Sequence, residues 1–421
     1  MLGNRLSQQT LSRAKAAKVA KKFQIQFLST FAPFVFFARQ FFVFLLLFAV
    51  NVRAEEAPKF LGAQSCATSG CHGGADDKSR QYTVWAKYDV HHERPFATLT
   101  TARSERIAET LKLGNPTQSA RCTVCHAPMQ TVPAEHRADA VKISDGVSCE
   151  NCHGPAENWI RSHTRKDYTH ADRVHAGMRD LQNLYVRANT CVACHQNVDA
   201  DILAAGHPEL IFELDGQCVT QPKHWQETTN WNGAQTWLVG EFIALREMSW
   251  QLANEKSPTE NQKNRRESAL WISGLIGNTI VKHLSQSEIE KVLPPKRIPS
   301  TPEEEIADEK NSSDKLARVV ASLNWTDSLT RECLNKMSDL ECRLEFRATN
   351  WPSLQLRARF AERLVLALDR LTLALPDAKA ADQLRAPLKK LFADVQSLPD
   401  FSPATFADHL AEFQKALPAA P

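Results

Sequence analysis

The chain has 421 residues, with 51 Lys and Arg against 48 Asp and Glu and a formal charge of +3. That excess is confined to one end. Residues 1–54 carry eight basic residues and no acid, and the rest of the chain holds 43 basic against 48 acidic groups. A balance of −5 outside the leader leaves no electrostatic footprint for nucleic acid, and no nucleic-acid partner is expected.

The leader reads as an export signal. Arg5, Arg13, Lys15, Lys18, Lys21, Lys22 and Arg39 precede the apolar run FFVFLLLFAV at 41–50, and VRA at 52–54 ends in a small residue. Residues 1–54 are expected to be a cleaved signal peptide and the mature protein to reside in the periplasm. The alternative is an uncleaved anchor over 27–50. It is disfavoured because Arg39 interrupts the run and leaves too few apolar residues to span a bilayer.

Residues 55–225 are expected to form one domain of little regular structure. Gly, Pro, Asn and Asp recur every few residues, and few stretches hold a helical apolar period. Short helices are expected near 79–89 and 101–113. The same domain holds four cysteine motifs. CTVCH supplies Cys122, Cys125 and His126; CENCH supplies Cys149, Cys152 and His153; CVACH supplies Cys191, Cys194 and His195. CATSGCH supplies Cys66, Cys71 and His72 with a four-residue spacer. A lone CxxC is half a zinc site or a dithiol pair as readily as anything else. A histidine directly after the second cysteine is different. With 14 histidines in 421 residues it arises by chance about one time in thirty, and here it occurs four times. C-x-x-C-H is the c-type haem attachment pattern, in which two thiols form thioethers and the histidine becomes the proximal iron ligand. Four haem c groups are expected, the first at the rarer CX4CH spacing.

Twelve of the histidines lie between residues 60 and 225, against only Met129 and Met178 in that window. The second axial ligands should therefore be mostly histidine, giving bis-His irons of low potential. The haems would also supply apolar surface that this segment lacks, so that they form its core.

Beyond 225 the composition turns helical. A helical extension is expected over 226–292, with helices near 233–255 and 264–285. Residues 293–313, LPPKRIPSTPEEEIADEKNSS, read as a mobile linker. Helices near 314–323, 327–346, 354–374, 378–397 and 403–416 complete a C-terminal helical region over 314–421. Stripes such as Leu356, Phe360, Leu364 and Leu368 are core faces. The fold class is mainly α: a haem-cored segment with little regular structure plus a C-terminal helical region. Cys218, Cys333 and Cys342 lie outside the motifs. On one unbroken helix Cys333 and Cys342 would sit about 13 Å apart along the axis, too far to bridge. A break at SDLE (338–341) would make a hairpin disulfide feasible.

GVSCENCHGPAENWIRSH resembles a segment of the multihaem cytochrome c superfamily, in particular of the tetrahaem cytochromes c that accept electrons from hydroxylamine oxidoreductase. TVWAKYDVHHERPFATL and LAAGHPELIFEL are similar to segments of larger members. The resemblance covers about residues 60–240. It implies that His163 pairs with His72, that His92 or His91 pairs with His195, with His92 preferred, and that His207 pairs with His153. It also implies a five-coordinate iron at His126. VDADILAAGHP has Ala200 where larger members carry a histidine, which leaves the second and third pairings open. Two functions follow. The first is a periplasmic electron-transfer protein working between periplasmic or membrane redox proteins. The second is a haem enzyme acting on a small nitrogen or sulfur oxide at an open iron, the one reading that calls for a small-molecule substrate.

Overall fold

The computed structural model describes residues 57–292, 301–348, 353–396 and 400–418. The expected signal segment lies outside them. Helices dominate. A single parallel bridge between Phe60 and Arg137 is the isolated β-contact among the described residues, in keeping with the mainly α class.

The N-terminal half is built from short pieces. Helices α1 (Gln81–Lys87), α2 (Ala102–Thr110), α3 (Ala120–His126) and α4 (Cys149–His153) are followed by α5 (Leu184–His195) and α6 (Leu214–Thr220). Their buried apolar side chains are scattered. Val84, Trp85, Leu99, Ile107, Met129 and Trp159 are buried, but none joins the large apolar cluster of the molecule.

That cluster belongs to the second half. It is organised around α7 (Gly233–Asn254) and α8 (Glu260–Val281), followed by α9 (Pro302–Ala321), α10 (Asp327–Ser338), α11 (Leu340–Arg347), α12 (Leu354–Leu373), α13 (Ala378–Asp394) and α14 (Pro403–Ala416). Helix α7 is buried on nearly every face: Trp237, Leu238, Phe242, Ile243, Leu245 and Met248 are all inside. Each such side chain contributes about 1.5–3 kcal/mol by leaving water. Helix α7 packs against α9, α8, α6, α5 and α12. Gly240 permits the approach of α6, since a Cβ there would stand 2.9 Å from the Leu214 Cβ.

Two expectations are corrected here. The core does not divide near 225: Leu184, Ala188 and Val192 of α5 and Phe212, Leu214 and Cys218 share it with the C-terminal helices. The expected linker is also largely helix. Pro302 opens α9, Thr301 caps it by accepting the Glu304 N–H, and Glu303, Glu304 and Glu305 occupy the first turn, where acidic groups favour the helix dipole. The charges beyond are tied to neighbouring helices. Arg266 binds Glu309, and Asp314 accepts from Arg246 and from the Tyr185 hydroxyl, both at 2.7 Å. Residues 293–300 lie outside the described set. The chain does break at Asp339, whose side chain caps α11 through the Cys342 N–H, but Cys333 and Cys342 are both buried free thiols. Among the described residues no helix is long and apolar enough to cross a membrane.

Candidate haem-binding centre

Three of the four motifs sit on helix. In α3, α4 and α5 the two cysteines are i and i+3 and the histidine is i+4, so all three side chains share one face. CATSGCH cannot do this, because its cysteines are five apart. Ala63–Cys66 is a 3-10 turn and the chain then loops through Cys71 to His72. The motifs approach in pairs. Cys66 stands beside Cys149, and Cys125 beside Cys194. The neighbouring thiol, and then burial, pushes each of Cys149 and Cys194 far above the usual thiol range. Burial, more than any neighbouring group, pushes Cys152 and Cys191 up.

A buried carboxylate holds the first pair. Glu150, inside CENCH, is 1 % exposed. It accepts the backbone N–H of Leu61 at 2.9 Å, of Gly62 at 2.6 Å and of Ala156 at 2.8 Å. It thereby fastens the strand leading into Cys66 beside α4. Gly62 has φ +87°, and a Cβ on it would meet the Ala140 carbonyl at 2.6 Å.

Each motif histidine faces a second imidazole. Two imidazoles on opposite sides of one metal, with bonds of about 2.0–2.1 Å and ring centres about 1.2 Å behind the nitrogens, have centroids about 6.4 Å apart. His72 and His163 stand at 6.1 Å, His126 and His207 at 6.3 Å, and His153 and His224 at 6.5 Å. His195 has two neighbours, His92 at 6.3 Å and His91 at 5.5 Å. The ligating atoms of these three lie within 4.8 Å of one another.

The His163–His72 and His92–His195 proximities are as expected. The other two are not. His207 faces His126 and not His153, and the partner of His153 is His224, which sequence reasoning did not single out. Arg121, next to Cys122, explains the first change. It reaches Asp201 Oδ2 at 2.9 Å and Asp199 Oδ2 at 2.6 Å, which ties α3 to the segment that ends in His207. The acidic pair flanking Ala200 was the available signal.

His224 is held from two sides. Arg187 of α5 forms two 3.0 Å bonds to Glu227, which also accepts the Trp225 indole N–H at 2.7 Å. At the other end Gln221 donates to Asp89 at 2.9 Å. His163 ends a turn in which buried Trp159 packs on its ring at 5.5 Å. His92 is fixed by Val147, whose N–H reaches the His92 carbonyl at 2.8 Å and whose own carbonyl accepts the Trp85 indole N–H at 3.0 Å.

The ring nitrogens are arranged as metal ligation requires. A ligating histidine ordinarily gives its other N–H to an acceptor, which fixes the tautomer. His72 Nδ1 is 2.9 Å from Gln81 Oε1, His126 Nδ1 is 2.9 Å from the Pro95 carbonyl, His163 Nδ1 is 3.2 Å from the Trp159 carbonyl, and His207 Nδ1 is 2.8 Å from the Pro208 carbonyl. His92 Nδ1 is 2.9 Å from the Asp89 carboxylate. Each Nε2 remains for the partner side. Burial, then the neighbouring imidazoles, pushes His153 and His195 down to about 4, so both are neutral with a free lone pair. Buried polar atoms here that lack a hydrogen-bond partner include His224 Nδ1, Trp159 Nε1 and Gln196 Nε2. Thiol pairs, neutral imidazoles and their spacing all fit haem c.

Residues 65–154 match the family model described as cytochrome c554 and c-prime. No curated protein and no solved structure matches the chain. The matched stretch is less than a quarter of the chain and contains the first three motifs. The match supports reading residues 65–154 as similar to c-type cytochromes, a family that binds haem c covalently and carries electrons.

Proposed function

We propose that the protein is an exported tetrahaem c-type cytochrome that transfers electrons through four bis-histidine haems. Cys66 and Cys71, Cys122 and Cys125, Cys149 and Cys152, and Cys191 and Cys194 would hold the groups covalently. His72 with His163, His126 with His207, His153 with His224, and His195 with His92 would supply the axial nitrogens. Bis-His haem c supplies reversible one-electron exchange without an open ligand position.

The observation that carries this reading is the recurrence of one geometry: four imidazole pairs with centroids 6.1–6.5 Å apart. Each axial pair joins a motif histidine to one from elsewhere in the chain. The protein's part is to fix each ring, exclude alternative tautomers and hold the motif segments close, through Glu150 at the first and third motifs and Arg121 at the second. The partners would be periplasmic or membrane redox proteins, in line with the basic leader. The resemblance to acceptors of hydroxylamine oxidoreductase suggests one class of donor.

The alternative, an enzyme working on a small nitrogen or sulfur oxide, rested on a vacant iron at His126. His207, 6.3 Å from that ring and with its Nδ1 engaged elsewhere, speaks against a vacancy there. A pyridine haemochrome assay on the purified mature protein should give four haems per chain. Electron paramagnetic resonance of the oxidised protein should show low-spin ferric iron only. A count of zero removes the reading, and a stoichiometric high-spin signal moves it to the enzyme.

A further inference from the structure

Five of the paired histidines have an identified Nδ1 acceptor, and one acceptor differs from the rest. For His72, His126, His163 and His207 it is a neutral amide or carbonyl oxygen. For His92 it is the Asp89 carboxylate, with Oδ1 at 3.0 Å and Oδ2 at 2.9 Å from Nδ1. Asp89 is 1 % exposed. Its hydrogen-bond donors are the His92 ring, the His92 main-chain N–H at 3.3 Å and Gln221 Nε2 at 2.9 Å, none of them a Lys or Arg. Its charge is therefore directed at one imidazole across a region of low dielectric, where such a bond is strong. A carboxylate on the far nitrogen makes an imidazole a better electron donor to its metal. The same carboxylate settles an ambiguity in the sequence. His91 and His92 both approach His195, but His91 is exposed, whereas His92 is locked in orientation.

We propose that Asp89 is a positioning residue that selects His92 over His91 as the imidazole opposite His195, and that it lowers the reduction potential of the haem held by Cys191 and Cys194 relative to the other three. The inference rests on the tetrahaem reading above. Through Gln221, Asp89 also steadies the 221–227 strap that presents His224 to His153, so one buried carboxylate orients ligands at two centres.

The test is a spectroelectrochemical titration of the mature holoprotein and its Asp89→Asn variant. Asparagine keeps the shape and a hydrogen-bond acceptor but removes the charge. One midpoint should rise and become closer to the rest, the signal of that centre should move in electron paramagnetic resonance, and the haem count should stay at the wild-type value. Four unchanged midpoints would overturn the proposal. If Asp89→Asn fails to load haem, His91→Ala and His92→Ala decide the matter. His92→Ala should alter one low-spin ferric signal and His91→Ala should alter none; the reverse result would overturn it, because the Asp89 carboxylate is hydrogen-bonded to the His92 ring. A wild-type protein without haem at Cys191 and Cys194 would overturn the tetrahaem reading, and the proposal with it.

Discussion

Replacing Glu150 with alanine should do more damage than any other single change in the N-terminal half that leaves cysteines and histidines untouched. Three backbone N–H groups end on its carboxylate: Leu61, Gly62 and Ala156. The bonds from Gly62 and Ala156 are buried, and that from Leu61 is partly so. A hydrogen bond to a charged group contributes about 1.5–3 kcal/mol. Counting only the two buried donors gives a loss of about 3–6 kcal/mol. Relief of the carboxylate's own burial returns part of that, which leaves about 2–4 kcal/mol. This is a large share of the 5–15 kcal/mol, roughly, that stabilises a typical domain.

The damage should also be local. Glu150 connects the chain entering Cys66 to α4, so the weakened centre is the one at Cys66, Cys71, His72 and His163. Glu150→Gln should fall between wild type and alanine, since one oxygen survives while the new amide faces an N–H donor. Urea unfolding of the purified protein, followed at the Soret band and by far-ultraviolet circular dichroism, measures the loss. A Glu150→Ala midpoint equivalent to within about 0.5 kcal/mol of wild type would refute the reasoning, because two orphaned buried donors cannot cost so little.

His163→Ala should convert one low-spin ferric signal to high spin, raise that midpoint and leave the haem count unchanged; an unaltered spectrum would dissolve the His72–His163 pairing. His207→Ala and His224→Ala should each do the same at a different centre, while His170→Ala and His175→Ala, at exposed positions, should leave the spectrum as it is. Mass spectrometry of the mature protein should find an N-terminus at Glu55 or a close neighbour, and an intact Met1 in a membrane fraction would favour the anchor instead. Burial raises the Asp215 carboxyl to about 7 against the pull of Arg370, whose Nε stands 3.1 Å away. A carboxyl raised on folding favours the folded state most below its unfolded value of about 3.9 and loses that contribution as pH climbs through about 7. Stability should thus decline from about pH 4 to pH 8, and Asp215→Asn should flatten that slope in thermal melts.

What the sequence disclosed, and what it withheld, divides along the range of the interactions involved. The motif spacing acts over five or seven residues, so the cysteines and adjacent histidines of all four candidate sites could be read directly. Helical periodicity acts over one or two turns. The expected helices near 233–255, 354–374 and 403–416 end within two residues of Gly233–Asn254, Leu354–Leu373 and Pro403–Ala416. The first half of helix α9, up to residue 313, was missed because it buries so little: Ser313, a polar residue, is its one buried position. Its acidic run looked like a solvated tether until Arg266, Arg246 and Tyr185 arrived from elsewhere to bind it.

The second ligands depend on still longer reach. His163 was placed opposite His72 by the resemblance, which carries a histidine ten residues past the third motif. His207 and His224 could not be assigned by position, since both lie nearest the fourth motif along the chain yet face His126 and His153. Their pairing is decided by contacts across the fold: Arg121 to Asp199 over 78 residues and Gln221 to Asp89 over 132. A spacing rule therefore finds the motif half of each candidate site, while the facing histidine follows from where a few ion pairs and amides draw the loops.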